Sequence, residues 1–259
     1  MLSEVDPLAD MPDADISVVV PVFNEEGAVE DLAREIAAAF AGWRYEIVFV
    51  NDASVDATAD RLTALRGEIP VLRVLSHRRN AGQSRAIRTG VRAARAPVVV
   101  MLDGDGQNDP ADAPPLARAL IAGPPGLGMI GGERRVRRDS PGKRWASRLA
   151  NAVRRRLLND EAADTGCGLK AFRREAFLAL PYFDHLHRYL PAMMIREGYE
   201  VAFEPVGHRP RRSGRSKYTN LGRLGASLFD LAGVVWLNRR SRDPGEIEEA
   251  RPPPSGAGG

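Results

Sequence analysis

The chain has 259 residues, 44% of them hydrophobic and 27% charged, with a formal net charge of +3. These are ordinary globular values for a chain able to bury a substantial core, and they argue against both wholesale disorder and an integral membrane protein. The charge is uneven, with arginines crowding residues 134–156 and 209–215 and acids the N-terminus, so an anionic partner is expected: nucleic acid, a phospholipid surface or a phosphorylated small molecule. The single Cys167 excludes an internal disulfide and suits a reducing compartment. Met1 to Asp15 shows neither the basic nor the apolar region of a signal peptide.

Ile16-Ser17-Val18-Val19-Val20-Pro21 reads as a first buried strand, with Asn24 to Gly27 as the loop after it. Val29, Leu32, Ala33, Ile36, Ala37 and Phe40 recur at three- and four-residue steps, the spacing of a helix with one apolar face. Tyr45 to Val50 is a second strand stopping at Asn51-Asp52-Ala53-Ser54, and Ser54 is a candidate cap for a helix carrying Leu62 and Leu65. Val71 to Leu75 predicts a third strand, and Gln83 to Ala94 a basic helix.

The fourth strand, Val98 to Leu102, runs straight into Asp103-Gly104-Asp105-Gly106-Gln107-Asn108-Asp109-Pro110. On an extended chain Asp103 and Asp105 point the same way, and the two glycines let the backbone bend close to a diphosphate. Two carboxylates and the Gln107 amide oxygen are hard donors, suited to Mg²⁺ or Mn²⁺ completed by water and substrate phosphate. A plain Asp-Gly turn is the alternative. Strands alternating with helices imply an α/β fold with a mostly parallel sheet, whose ligands gather at the strands' carboxyl ends. Pro21 to Glu25, Asp52 and Asp103 to Gln107 all fall there.

Together these residues carry a resemblance. Pro21-Val22-Phe23-Asn24-Glu25, Val50-Asn51-Asp52-Ala53-Ser54 with Asp56 and Thr58, Arg79-Asn80-Ala81-Gly82 and Asp103-Gly104-Asp105-Gly106-Gln107 occur in the order and spacing of the inverting family 2 glycosyltransferases of GT-A (Rossmann-like) fold. Asp164-Thr165-Gly166-Cys167-Gly168, and His208-Arg209-Pro210-Arg211 leading to Gly214-Arg215-Ser216-Lys217-Tyr218, resemble the branch of dolichol-phosphate mannosyltransferase and the bacterial polyprenyl-phosphate glycosyltransferases. The likeness covers residues 16–220.

The resemblance implies a nucleotide-sugar donor and a polyprenyl-phosphate acceptor. It places Pro21, Phe23, Glu25 and Asp52 at the base and ribose, and Asp103, Gly104, Asp105 and Gln107 around a Mg²⁺ or Mn²⁺ ion and the diphosphate. It also brings Arg211 and Lys217 over the phosphates in a closing loop. Residue chemistry leaves alternatives: Phe23 stacks on a base or fills the core, and Glu25 is either a ligand or a first-turn acid. Arg134, after the apolar run Leu127 to Ile130, matches an arginine on the acceptor phosphate. Lys143, Arg144 and Ser147 match a helix that supplies a second cation and a serine to it. The spacing differs from the mannosyltransferase form, so the second cation is either Lys143 or Arg144. Asp164 matches a position near the reacting centre, with a cap or turn role as the alternative. The other arginines of 135–156 are solvated surface or meet anionic lipid headgroups.

Leu221 to Asn238 places Leu224, Leu228, Leu231, Val235 and Trp236 on one stripe, closed by Arg239 and Arg240. It reads as an amphipathic interfacial helix, being short for a span and interrupted by Arg223 and Asp230. The expected organisation is a tail over 1–14, a GT-A domain over 15–218, the helix over 219–240 and a disordered tail over 241–259. This predicts a cytoplasmic protein, peripheral on the cytosolic face of an anionic membrane, that transfers a hexose with inversion. The resemblance favours mannose from GDP-mannose, with UDP-linked sugars and a non-lipid acceptor as alternatives. Nucleic-acid binding, suggested by the arginines and a pI of about 9.3, is set aside. No such motif is present, and acidic strand ends repel a phosphate backbone.

Overall fold

A strand apolar on both alternating faces has to be covered on both sides, and the valine-rich runs of this chain are. In the computed structural model, which describes residues 14–134, 156–158, 160, 164, 166–210 and 220–242 (220–228 as backbone only), they form the middle of a seven-stranded sheet. Its strands are β1 (Ile16–Val22), β2 (Tyr45–Asn51), β3 (Leu72–Ser76), β4 (Val98–Met101), β5 (Leu127–Arg134), β6 (Lys170–Arg173) and β7 (Glu200–Val206), in the order β3-β2-β1-β4-β6-β5-β7. Every pairing is parallel except those of β6, which runs antiparallel between β4 and β5.

The helices are α1 (Val29–Ala39), α2 (Thr58–Leu65), α3 (Gln83–Ala93), α4 (Ala113–Ala122), α5 (Arg174–Ala179), α6 (Leu190–Arg196) and α7 (Asn220–Arg240). Val18, Val20, Phe49 and Val100 face α1, α2 and α4 through Leu32, Ile36, Leu62 and Leu116. Val19, Val48, Val99 and Met101 face the other way, onto Ile87, Val91, Phe177, Met193 and Val234 of α3, α5, α6 and α7. Each such side chain taken fully out of water contributes roughly 1.5–3 kcal/mol, so the two apolar layers fix the strand ends as a rigid edge.

Four expectations need correction. The alternating pattern stops short of β6 and β7, which the structure adds. β6 is four residues long with a cation at each end, and β7 is a partly exposed edge strand containing Pro205. Ser54 does not cap α2, which starts four residues later at Thr58; its hydroxyl instead accepts from the Asn24 amide at 2.9 Å. Asp103 and Asp105 lie beyond the end of β4 on a turn, with Gly106 at φ 71°, rather than on extended chain. Finally, Leu231 and Val235 of α7 pack on the protein core, while Phe229 and Trp236 are 82% and 58% exposed. The expected stripe is therefore divided: Leu231 and Val235 face inward, Trp236 faces outward with Phe229, and the side chains of Leu224 and Leu228 lie outside the described ones. Among the described residues no helix is long and apolar enough to cross a membrane.

Candidate active site

The antiparallel insertion of β6 builds the site. Because Lys170 pairs with both Met101 and Gly131, the residues just before it lie beside the chain leaving β4 and the last residues of β5. The Gly132 amide donates to the Leu169 carbonyl at 2.9 Å, which fixes this approach. Three parts of the chain distant in sequence, 103–108, 132–134 and 164 with 166–168, thereby meet at the carboxyl edge of the sheet, next to the ends of β1 and β2.

The ends of β1 and β2 are tied to each other. The Asp52 amide donates to the Val22 carbonyl at 2.9 Å, Asn24 Oδ1 accepts from the Val55 amide at 2.8 Å, and the Glu25 amide donates to Thr58 Oγ1 at 2.9 Å. Asp56 accepts from the amides of Thr58 and Glu26. The motif residues Asp56 and Thr58 thus hold the loop bearing Phe23 and Glu25. Phe23 and Glu25 are half-buried at this edge, and Pro21 is buried within β1.

Asp52 is only 3% exposed and is engaged by the protein itself. Its carboxylate accepts from the Ala81 amide at 2.9 Å and the Gly82 amide at 2.8 Å, and His77 Nδ1 sits 2.7 Å from Oδ1. Asn80 Nδ2 donates to its carbonyl. Expected at the nucleotide, Asp52 is in this structure the anchor of the Arg79-Asn80-Ala81-Gly82 turn that starts α3. The next residue, Gln83, donates from Nε2 to Asp103 Oδ1 at 2.8 Å. One chain of hydrogen bonds therefore links the end of β2 to the acidic turn.

In that turn, Asp105 Oδ1 accepts from the Gln107 amide at 3.1 Å, and Asn108 Oδ1 accepts from the Asp103 amide at 3.2 Å. A Cβ on Gly104 would lie 2.8 Å from the Pro21 carbonyl oxygen and 2.5 Å from Val22, so only glycine lets the turn sit against β1. Burial first, and then the charge of Asp105, pushes the Asp103 carboxyl above its ordinary pKa, partly offset by Lys170 and Gln83. A buried carboxylate whose ionisation a neighbouring negative charge opposes is what a cation relieves. Among the described residues no three His, Cys, Asp or Glu side chains group tightly enough to hold a metal. The donor set of Asp103, Asp105 and the Gln107 amide oxygen fits a Mg²⁺ or Mn²⁺ ion that relies on water and substrate for its other ligands.

Across the edge, Arg134 and Asp164 form a two-pronged pair, Nε to Oδ2 at 2.6 Å and Nη2 to Oδ1 at 2.8 Å. Their side chains are 18% and 5% exposed. The bond to Asp164 is the main cause that holds the Arg134 guanidinium above its ordinary pKa. Gly166 leaves room for the pair, since a Cβ there would lie 3.1 Å from Arg134 Nη2. Lys143, Arg144, Ser147, Arg211 and Lys217 lie outside the described residues.

Sequence reasoning passed over four residues at this edge: His77, Gln83, Lys170 and His208. His208 heads the His208-Arg209-Pro210-Arg211 motif; its Nε2 is 3.5 Å from Gln107 Nε2, and burial followed by the charge of Arg134 lowers its pKa. Its neighbour Arg209 turns away to pair with Glu35 and Asp109, which ties the end of β7 to α1. His208 stands within a motif and Gln83 directly after one, and that placement is the signal that could have found them. For His77 and Lys170 nothing local marks the position.

Comparison with known proteins agrees with this architecture. Residues 17–180 match the family described as Glycosyl transferase family 2. The dodecaprenyl-phosphate galacturonate synthase of Rhizobium johnstonii is 32% identical over 239 residues, covering 90% of this chain and 70% of that protein. The undecaprenyl-phosphate 4-deoxy-4-formamido-L-arabinose transferase of Pseudomonas paraeruginosa is 36% identical over 220 residues, covering 83% of this chain. The chain spans only 63% of the length of that transferase. Among solved structures, glucosyl-3-phosphoglycerate synthase from Mycobacterium tuberculosis, in complex with Mn²⁺, UDP-glucose and glycerol 3-phosphate, superposes with a TM-score of 0.65 at 23% identity, covering 92% of this chain and 84% of that one. A mannosyltransferase from Pyrobaculum calidifontis in complex with GDP-Man and Mn²⁺ gives a TM-score of 0.59 at 22% identity, over 79% of this chain and 59% of that one. At such identities the structural likeness establishes the fold alone. With a family match over most of its sheet and a relative aligned along nearly its whole length, the chain belongs to glycosyl transferase family 2 and has the GT-A fold.

Proposed function

We propose that this protein transfers a sugar from a nucleotide sugar to the phosphate of a polyprenyl phosphate, with inversion at the anomeric carbon. The observation that carries this reading is the Arg134–Asp164 pair. Attack by a sugar hydroxyl calls for a carboxylate base, but both oxygens of Asp164 are bound by one guanidinium. A phosphate acceptor needs no base, because its oxygen is already anionic near neutral pH. It does need a cation to hold it, and Arg134, gripped by Asp164 through Nε and Nη2, has the Nη1 edge of its planar guanidinium for that task. The lipid part of the acceptor rests on the relatives, whose names specify dodecaprenyl and undecaprenyl phosphate.

In this account Phe23 and Glu25, with Pro21 behind them, bound the base and ribose. Asp52 preshapes the turn beside them rather than reaching the ligand first. Asp103, Asp105 and Gln107 would hold the divalent ion, which when bound supplies Lewis-acid stabilisation to the departing diphosphate. Gln83 keeps Asp103 aimed at that position. Arg134 holds the acceptor phosphate behind the anomeric carbon, and Asp164 fixes the plane of Arg134. One phosphate oxygen forms the new bond to the anomeric carbon while the bond to the nucleoside diphosphate breaks, and the electron pair leaves with the diphosphate. Lys143 or Arg144, Ser147, Arg211 and Lys217 complete the phosphate contacts in this reading.

For the sugar, the mannosyltransferase likeness suggests GDP-mannose, while the named relatives handle galacturonate and a formamido-arabinose, so a uronic acid or a modified pentose stands beside mannose. The outward stripe of Phe229 and Trp236, next to Arg239 and Arg240, suits contact with an anionic membrane surface. Transfer should be measured with Mn²⁺ or Mg²⁺ and a donor panel of GDP-mannose, UDP-glucose and UDP-galacturonate. Asp105→Ala is expected to lower kcat at least about 10²-fold, the scale of removing one group that stabilises developing charge. Chelation should do the same to the wild-type protein. Unchanged transfer in both cases would remove the metal and diphosphate assignment.

A further inference from the structure

Lys170, the first residue of β6, is 3% exposed, and its Nζ donates to the carbonyl of Cys167. Taking an ammonium out of water costs several kcal/mol, a cost that only close partners offset. The position of this one is informative. Its register neighbours are Met101, two residues before Asp103, and Gly131, three before Arg134. Its carbonyl partner Cys167 lies three residues after Asp164. The ammonium interacts favourably with Asp103 and Asp164 and unfavourably with Arg134. Asp103 in turn is eased toward its charged form by Lys170. Burial, the leading cause, lowers the pKa of Lys170, and these carboxylates work against that loss.

We propose that Lys170 is a positioning residue for the transfer: its buried ammonium is the fixed counter-charge beneath Asp103 and Asp164, and it draws the Cys167 and Gly168 backbone against the acidic turn. The inference rests on the site reading given above. Without Lys170, Asp103 and Asp164 keep Arg134 as their counter-charge among the described residues. With it, the charge under the diphosphate is nearly balanced before any donor arrives, so Asp103 stays in place between turnovers.

The test uses two neutral variants of the full chain. Lys170→Met removes both the charge and the donor; Lys170→Gln removes the charge and keeps an amide donor for the Cys167 carbonyl. Three quantities are read: melting temperature, Mn²⁺ affinity of the nucleotide-free protein by electron paramagnetic resonance, and UDP affinity without metal by NMR titration. Loss of a cation at the floor should tighten Mn²⁺ at least threefold, weaken metal-free UDP at least threefold and lower kcat at least tenfold in a protein that still folds, with a lower melting temperature. A folding defect would weaken both ligands together, so the opposite signs separate the two roles. Either folded variant that binds both ligands as the wild type does overturns the proposal. So does failure of both variants to fold, because Lys170 is then a structural residue. If the wild-type protein binds no Mn²⁺, the metal reading fails, and the metal-free UDP titration alone decides the role of Lys170.

Discussion

Gly168→Ala is expected to lower transfer about 10²-fold while the protein stays folded, although the substitution adds a single methyl group. The reason is approach rather than backbone freedom. A Cβ at position 168 would fall 2.0 Å from Asp103 Oδ2, 2.3 Å from Asp103 Cγ and 2.8 Å from Asn108 Oδ1. Asp103 cannot retreat freely, since Gln83 holds its carboxylate and Asn108 holds its amide. Displacing a carboxylate by about 1 Å in an aligned site is enough for a loss of that size, and overpacking of this kind costs roughly 1–3 kcal/mol of stability. Gly233→Ala is the matched control: it sits in α7 with nothing within 4 Å of the added atom. That change should leave activity intact and stabilise the helix by up to about 1 kcal/mol. Initial rates and melting curves of the two variants, measured side by side, decide the point.

Arg134→Ala should cost both stability and function. Asp164 would be left with its main partner gone and only 5% of its side chain exposed, and stranding one half of a buried ion pair costs roughly 3 kcal/mol. The acceptor would also lose its cation, so kcat/KM for polyprenyl phosphate should fall about 10²–10³-fold. Combining Arg134→Ala with Asp164→Asn separates these effects: the double variant should recover most of the melting temperature and none of the activity. Recovery of both would make the pair a structural clasp and move the acceptor phosphate elsewhere. A stability loss without an acceptor effect would lead to the same conclusion.

The sheet edge was legible because apolar runs ended abruptly in polar residues. Val98 to Met101 followed by Asp103, and Val48 to Val50 followed by Asp52, mark strand ends without help from the rest of the chain. What those polar residues do was less legible. Asp52 and the Asp103 turn share a composition, yet Asp52 turns inward onto two backbone amides and His77, because the 79–82 turn returns to it from outside its own neighbourhood. The role of Gly168 and the burial of Lys170 both depend on β6 entering between β4 and β5, a long-range pairing of four residues with no periodic signal. On α7 the spacing groups Trp236 with Leu231 and Val235, although Trp236 faces outward beside Phe229. Only packing against the second core layer tells them apart. The link between Arg134 and Asp164 was invisible for the same reason, since thirty residues separate them.

The central claim is that the acceptor is the phosphate of a lipid. The most direct measurement offers the protein one radiolabelled nucleotide sugar with either a short polyprenyl phosphate or the matching polyprenol, with a divalent cation present, and follows label into the organic phase. The account predicts organic-phase label with the phosphate and none with the alcohol, in a product that mild acid cleaves to free sugar and lipid phosphate. Equal label with both lipids, or label found only on a water-soluble acceptor, would contradict it.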